Sequence, residues 1–117
     1  MGILNTGRNK VINYLKSDIS KGQLGTDGTL FNEAQTGVIS PIASTNLAIT
    51  TSDITNGLKV SYELPEGTGN NISYKEFEII SSDGTTSYAR IVIPQFDKDS
   101  TQKLFIDSYY QVDINNE

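Results

Sequence analysis

The sequence predicts a mainly β protein, an antiparallel β-sandwich of about six or seven strands with one helix ahead of it. Two observations carry this. From Tyr74 to Ile114 the chain reads as three strands in succession, YKEFEII, SYARIVIPQF and KLFIDSYYQVDI, separated by Asp83-Gly84 and the polar run Asp97 to Ser100. Ahead of them, Leu58, Val60, Tyr62 and Leu64 alternate with Lys59, Ser61 and Glu63, the period-2 signature of a half-buried strand.

The helix comes first. Val11, Ile12, Leu15 and Ile19 form one narrow apolar stripe within residues 6–21. Asn5 or Thr6 is placed to cap its start, and Gly22 to end it in the left-handed conformation. Lys16 and Lys21 then sit near the negative end of the helix dipole. Such a helix either lies on the side of the sandwich or docks on a neighbouring subunit. Residues 22–37, GQLGTDGTLFNEAQTG, read as a connector in which Leu30 and Phe31 form a short strand or pin the loop to the core. The segment lacks the GxGxxG and GxxxxGK[ST] patterns of phosphate-binding loops.

Val38 to Ile42 reads as a short strand interrupted by Pro41, and Thr45 to Ile54 as a longer one with Leu47 and Ile49 on one face. Asn56-Gly57 signals a tight hairpin into the Leu58–Leu64 run. After the flexible PEGTGNN loop, Phe77 and Ile79 face in while Glu76 and Glu78 face out. Ala89, Ile91 and Ile93 face in on the following strand, opposite Tyr88, Arg90 and Val92, and Pro94 ends regular pairing or marks an edge. In the last strand Leu104, Ile106, Tyr110, Val112 and Ile114 share a face, and Phe105 and Tyr109 occupy the other. Those two need cover, from the helix or from a neighbouring subunit. Ile91 and Ile106 are expected in the core. The chain is thus one domain over residues 1–117, with a helical segment at 1–22, a connector at 23–44 and the sandwich at 45–117.

Composition narrows the chemistry. At 117 residues the chain can bury about two thirds of its unfolded surface. It has no cysteine and no histidine, which excludes disulfides and thiol catalysis and removes the commonest general base. No apolar run approaches the ~18 residues of a membrane span. A net charge of −5 argues against nucleic acid as a partner. Residues 1–22 nevertheless carry Arg8, Lys10, Lys16 and Lys21 against Asp18 alone, leaving five bases and thirteen acids in the remainder. That split favours attraction between the two parts, within one chain or between copies.

No catalytic set or cofactor site is expected. Glu76 and Glu78 lie ~7 Å apart on one strand face, but neighbours on a strand point in parallel and do not flank a substrate bond. They are expected on a solvated face. Asp97 and Asp99 lack calcium-loop spacing and suit turn chemistry. Met1-Gly2-Ile3-Leu4-Asn5-Thr6 fits a short myristoylation pattern, and Asn71-Ile72-Ser73 a glycosylation sequon; both arise readily by chance. Six tyrosines could stack on sugars, but Tyr109 and Tyr110 face opposite ways, and Tyr62 and Tyr74 read as packing residues.

Several short segments stand in the order of similar, degenerate motifs in one known group. These are Thr6-Gly7-Arg8, GTDGTLFNEA at 25–34, LKVSYEL at 58–64, YKEFEII at 74–80, ARIVIPQFDK at 89–98 and TQKLFIDSYYQVDI at 101–114. Together they resemble a domain of tailed-bacteriophage virion proteins of the tail-fibre and tail-collar types. The acidic strand departs from that pattern, with EFEII where the family has E-A-G-L-F. A fibre of that family continues into a shaft, whereas this sequence ends at Glu117, which suggests a small adaptor or decoration protein. The resemblance implies a non-catalytic virion structural protein of tail, fibre or baseplate, assembled in the host cytoplasm. Its partners would be copies of itself, with a trimer as the first expectation from the family, and other virion proteins. The candidate assembly contacts are Arg8, Lys10 and Tyr14 on the helix and Phe105 and Tyr109 on the last strand. The alternative reading is a β-sandwich carbohydrate- or surface-binding module.

Overall fold

The structure is a computed structural model and describes residues 4–112. Helix α1 (Asn5–Asp18) leads into β1 (Ile19–Gly25); after a long irregular segment and a single 3-10 turn at Ala43–Thr45 come β2 (Leu47–Ala48), β3 (Thr50–Ile54), β4 (Gly57–Leu64), β5 (Ile72–Ser81), β6 (Ser87–Lys98) and β7 (Leu104–Gln111). The strands form a four-stranded sheet in the order β2-β1-β5-β6 and a three-stranded sheet in the order β3-β4-β7. Every pairing is antiparallel. The result is the expected sandwich with one helix.

The core lies between the sheets. Leu58, Val60, Tyr62 and Leu64 of β4 are buried as their alternation requires, and Phe77 and Ile79 of β5 meet them. The Tyr62 and Phe77 rings pack 5.1 Å apart, tilted by 58°. Tyr62 carries its hydroxyl inside by donating to the Thr45 carbonyl at 2.6 Å. Thr45, itself fully buried, accepts the Leu24 N–H and donates to the Ile42 carbonyl. Ile91 and Ile106 pack against this core from its margin and are half-buried.

The helix ends earlier than its stripe suggests. Ile19 is already extended, at φ −71° and ψ 120°, and the chain passes into β1 with no loop. Gly22 is therefore a strand residue in register with Ile79, not a helix stop. The physical reason is burial: Ile19 and Leu24 go into the sandwich, which continued helix would deny them. At the other end neither Asn5 nor Thr6 caps; Leu4 is the N-cap, without a side-chain cap bond. Ile12 is the buried contact of the helix, whereas Val11 and Tyr14 are exposed. The helix is strapped down by polar contacts. Lys16 Nζ lies 2.8 Å from Asp53 Oδ1, Asp18 accepts the Tyr88 hydroxyl, and the Asp18 carbonyl accepts the Ser82 N–H at 2.7 Å.

Two other boundaries shift. The residues from Thr45 to Ile54 split between sheets, β2 in one and β3 in the other. Residues 38–42 form no strand and contribute one isolated bridge, Gly25 to Pro41. The hairpin at Asn56 forms one residue earlier than expected: Ile54 pairs with Gly57, so Thr55-Asn56 is the turn, with Asn56 at φ 56°. Pro94 lies where the β5–β6 register shifts, between the pairs Tyr74–Phe96 and Glu76–Val92, on an edge strand. The Met1-Gly2 pattern and Ile114 fall outside the described residues.

Gly22 gives the tightest test of this packing. A Cβ there would stand 2.7 Å from Tyr62 Cδ2 and 2.8 Å from Phe77 Cε1. Gly22→Ala should cost about 1–3 kcal/mol through overpacking, read as a lowered midpoint in chemical denaturation.

Candidate functional site

The two outer faces of the sandwich differ in kind. On the four-stranded sheet, Glu76 and Glu78 of β5 and Arg90 of β6 project away from the core but do not meet solvent. Glu76 is 0 % exposed, and Glu78 and Arg90 are 6 % exposed. This overturns the expectation of a solvated glutamate face. The cover is the irregular segment 26–40, which folds back over the sheet instead of merely connecting two elements.

Glu76 holds that segment down. Its Oε2 accepts the N–H groups of Asp27 at 2.9 Å and Ser40 at 3.0 Å, and its Oε1 accepts the Ile39 N–H at 2.7 Å. Oε1 also accepts Nε of Arg90 at 2.9 Å. Arg90 spends its remaining donors on the same segment, reaching the carbonyls of Thr29 and Asp27 and the Gln35 side chain. Glu78 Oε2 accepts the Val38 N–H at 2.9 Å. Gly25 permits the close approach, since a Cβ there would fall 2.5 Å from Glu76 Oε2. Burial pushes the Glu76 carboxyl up, but the N–H donors of Ser40, Ile39 and Asp27, together with Arg90, outweigh it and hold its pKa below the ordinary 4.5.

Buried carboxylates thus do structural work here. Each is committed to backbone N–H groups, and neither stands across a gap from the other. Leu30 and Phe31 do not pin the segment to the core; they stand at its tip, 81 % and 60 % exposed.

The outer face of the three-stranded sheet carries Phe105 and Tyr109, 64 % and 62 % exposed. Phe105 stands opposite Glu63, Asp107 opposite Ser61 and Tyr109 opposite Lys59. The Lys59 ammonium lies 5.9 Å from the Tyr109 ring centre and 3.6 Å from Asp107. A shallow hollow of about 350 Å³ opens beside Phe105, lined by Thr50, Glu63 and Asp107. Of the two covers the sequence left open for this strip, α1 is not one, because it lies against β1 and β4 elsewhere.

The other candidate contacts divide. Lys10 and Tyr14 are exposed. Arg8 is turned inward on its own chain, with Nε donating to the Val112 carbonyl at 3.1 Å and a terminal nitrogen to Asn56 Oδ1 at 3.2 Å. It fastens the helix to the β3–β4 turn and the end of β7. Asp97 does not serve a turn as expected: β6 runs on to Lys98, and Asp97 lies within that strand, accepting from Ser73 on β5 and from Gln95. Asp99 and Asp83 do serve turns. Asp99 accepts from Thr101, and Asp83 accepts from the Ser81 hydroxyl and from Thr85, which lowers its pKa to about 2. Among the described residues no three acidic side chains converge as a metal site requires.

Comparison with protein-family models, with curated proteins and with solved structures gives no match to this chain.

Two outcomes test the buried ion pair. Glu76→Ala strands the Arg90 guanidinium and should cost about 3–5 kcal/mol, with loss of amide-exchange protection at Ile39 and Ser40. The folded pKa of Glu76 is depressed, so its stabilisation is complete above the unfolded value of 4.5 and disappears as pH falls through the folded one. In acid titrations followed by denaturation, Glu76→Gln should flatten that part of the stability profile.

Proposed function

We propose that this protein is a non-catalytic building block of a tailed-phage particle, an adaptor or decoration in tail, fibre or baseplate that acts through contacts with copies of itself and with other virion proteins. The supporting observation is the uncovered aromatic strip of β7. Phe105 and Tyr109 stand on a paired, regular sheet face, flanked by Lys59, Glu63 and Asp107, an apolar centre with a charged rim as interfaces have. A neighbouring subunit is the cover that remains for it, and rotational symmetry would close the array. Three copies remain the first expectation from the family resemblance. Lys10 and Tyr14 are free to join such contacts, whereas Arg8 already serves the fold. The commitment of Glu76 to backbone donors supports the absence of catalysis.

The same strip favours the second reading, a carbohydrate- or surface-binding module, because two aromatic rings share one face about 13 Å apart along the strand. The readings separate by experiment. As a building block, the protein sediments as an oligomer and is found by mass spectrometry in purified particles. Phe105→Ser/Tyr109→Ser should then give a folded monomer, its stability changed by about 1 kcal/mol or less because both side chains are exposed. A wild-type protein that stays monomeric at high concentration and occurs in no particle would overturn the assembly reading.

A further inference from the structure

Each sheet ends in two edge strands, and three of these four edges are blunted. β2 has only two residues. β3 has five, and its Asp53 is held by Lys16 of the helix at 2.8 Å. β6 is longer but carries Pro94 and two register shifts against β5. The fourth, β7, runs for eight residues in unbroken register with β4, without proline, lysine or bulge. Its one charge, Asp107, is matched by Lys59 of its own chain at 3.6 Å. A long, regular edge of this kind is a template for pairing with another chain.

The phase of the ladder shows what this edge offers. The Val112 N–H donates to the Asn56 carbonyl at 2.9 Å, in line with the β4–β7 register. Alternation then turns the even-numbered residues of β7 toward β4 and the backbone groups of Phe105, Asp107, Tyr109 and Gln111 outward. Among the described residues those outward groups have no strand partner. On the inward face Leu104, Ile106 and Tyr110 are only half-buried, so an added strand would remove further apolar surface from water. The strand that fits is β7 itself, run in the opposite direction about Ser108. Ile106 then meets Tyr110 of the second copy, and Leu104 meets Val112, apolar on apolar. On the outer face Asp107 meets Tyr109 and Phe105 meets Gln111, so no charge opposes a like charge. Centring the pair on Asp107 would instead set two carboxylates against each other.

We infer that β7 pairs edge to edge and antiparallel with β7 of a second copy, about a two-fold axis at Ser108, joining the two three-stranded sheets into one continuous sheet. This pairing rests on the reading of the protein as a self-assembling block and assigns the contact to the edge of the aromatic strip, where Phe105 and Tyr109 gain cross-strand neighbours. The test combines sedimentation of the full chain with cysteine trapping, which is clean because the sequence has no cysteine. The wild-type protein is expected to sediment as a dimer. Asp107→Pro removes an outward N–H and leaves the β4 ladder and both aromatic rings in place, so it should raise the dimer dissociation constant about tenfold or more. Asp107→Cys mixed with Tyr109→Cys should cross-link on oxidation, because the two positions face each other at about 5.5 Å between Cα atoms. Neither variant alone should cross-link as readily, since its own copies stand diagonally, about 7–8 Å apart. Both positions are exposed, so these variants decide the matter should Asp107→Pro fail to fold. A trimer, or an assembly unaltered by a folded Asp107→Pro, would overturn the edge pairing and leave the assembly reading standing. A wild-type protein that stays monomeric at high concentration would overturn the edge pairing together with self-assembly, as would a mixture that forms no cross-link in a monomeric protein.

Discussion

The Glu76–Arg90 pair is the constraint on which one whole side of the molecule depends. Two charges buried together are costly to desolvate, and their attraction offsets that cost only when further hydrogen bonds complete both groups. Here the completion comes from backbone atoms of residues 26–40. The segment and the ion pair are therefore mutually required. Without the segment, the pair would be a half-solvated cross-strand contact of small worth. Without the pair, a stretch with few apolar residues would keep only the Glu78–Val38 bond and the backbone bonds near Gly25 to hold it against the sheet.

Much of the sandwich was legible from alternation. The faces of β4 and the inward set of β5 follow directly from period 2, because the side chains they bury are apolar and their neighbours, Ile80 apart, are not. The helix was legible as a helix but not in extent. Its stripe runs through Ile19, and a helical stripe and the first inward position of a strand look alike over one residue. β1 was missed because three of its seven residues are Gly22, Gly25 and Lys21, which carry no strand preference. Its place is dictated from outside, by the need to fit Tyr62 and Phe77 over a residue without a side chain.

The buried glutamates were misread for a related reason. An alternating Glu is normally a solvated Glu, and nothing local distinguishes the exception. The signal was non-local: an arginine at the matching outward position of the next strand, plus a glycine-rich segment long enough to return. The aromatic strip was legible as an anomaly, since Phe105 and Tyr109 break the polar half of the β7 alternation. Its cover could not be read, because the helix that might have supplied it is directed elsewhere by Ile12 and by Arg8.

The insertion of β1 between β2 and β5 has a kinetic side. The β3–β4 and β5–β6 hairpins join neighbours in the chain and close cheaply. β1 meets β5 only after the intervening strands have been laid down, with Gly22 against Ile79. Such distant pairing loses loop entropy before any contact repays it, which places this protein among slow-folding topologies. Until β1 docks, β5 presents an open edge in the middle of its sheet. An edge left open on a strand that carries Tyr74, Phe77, Ile79 and Ile80 is a hazard at high concentration during synthesis.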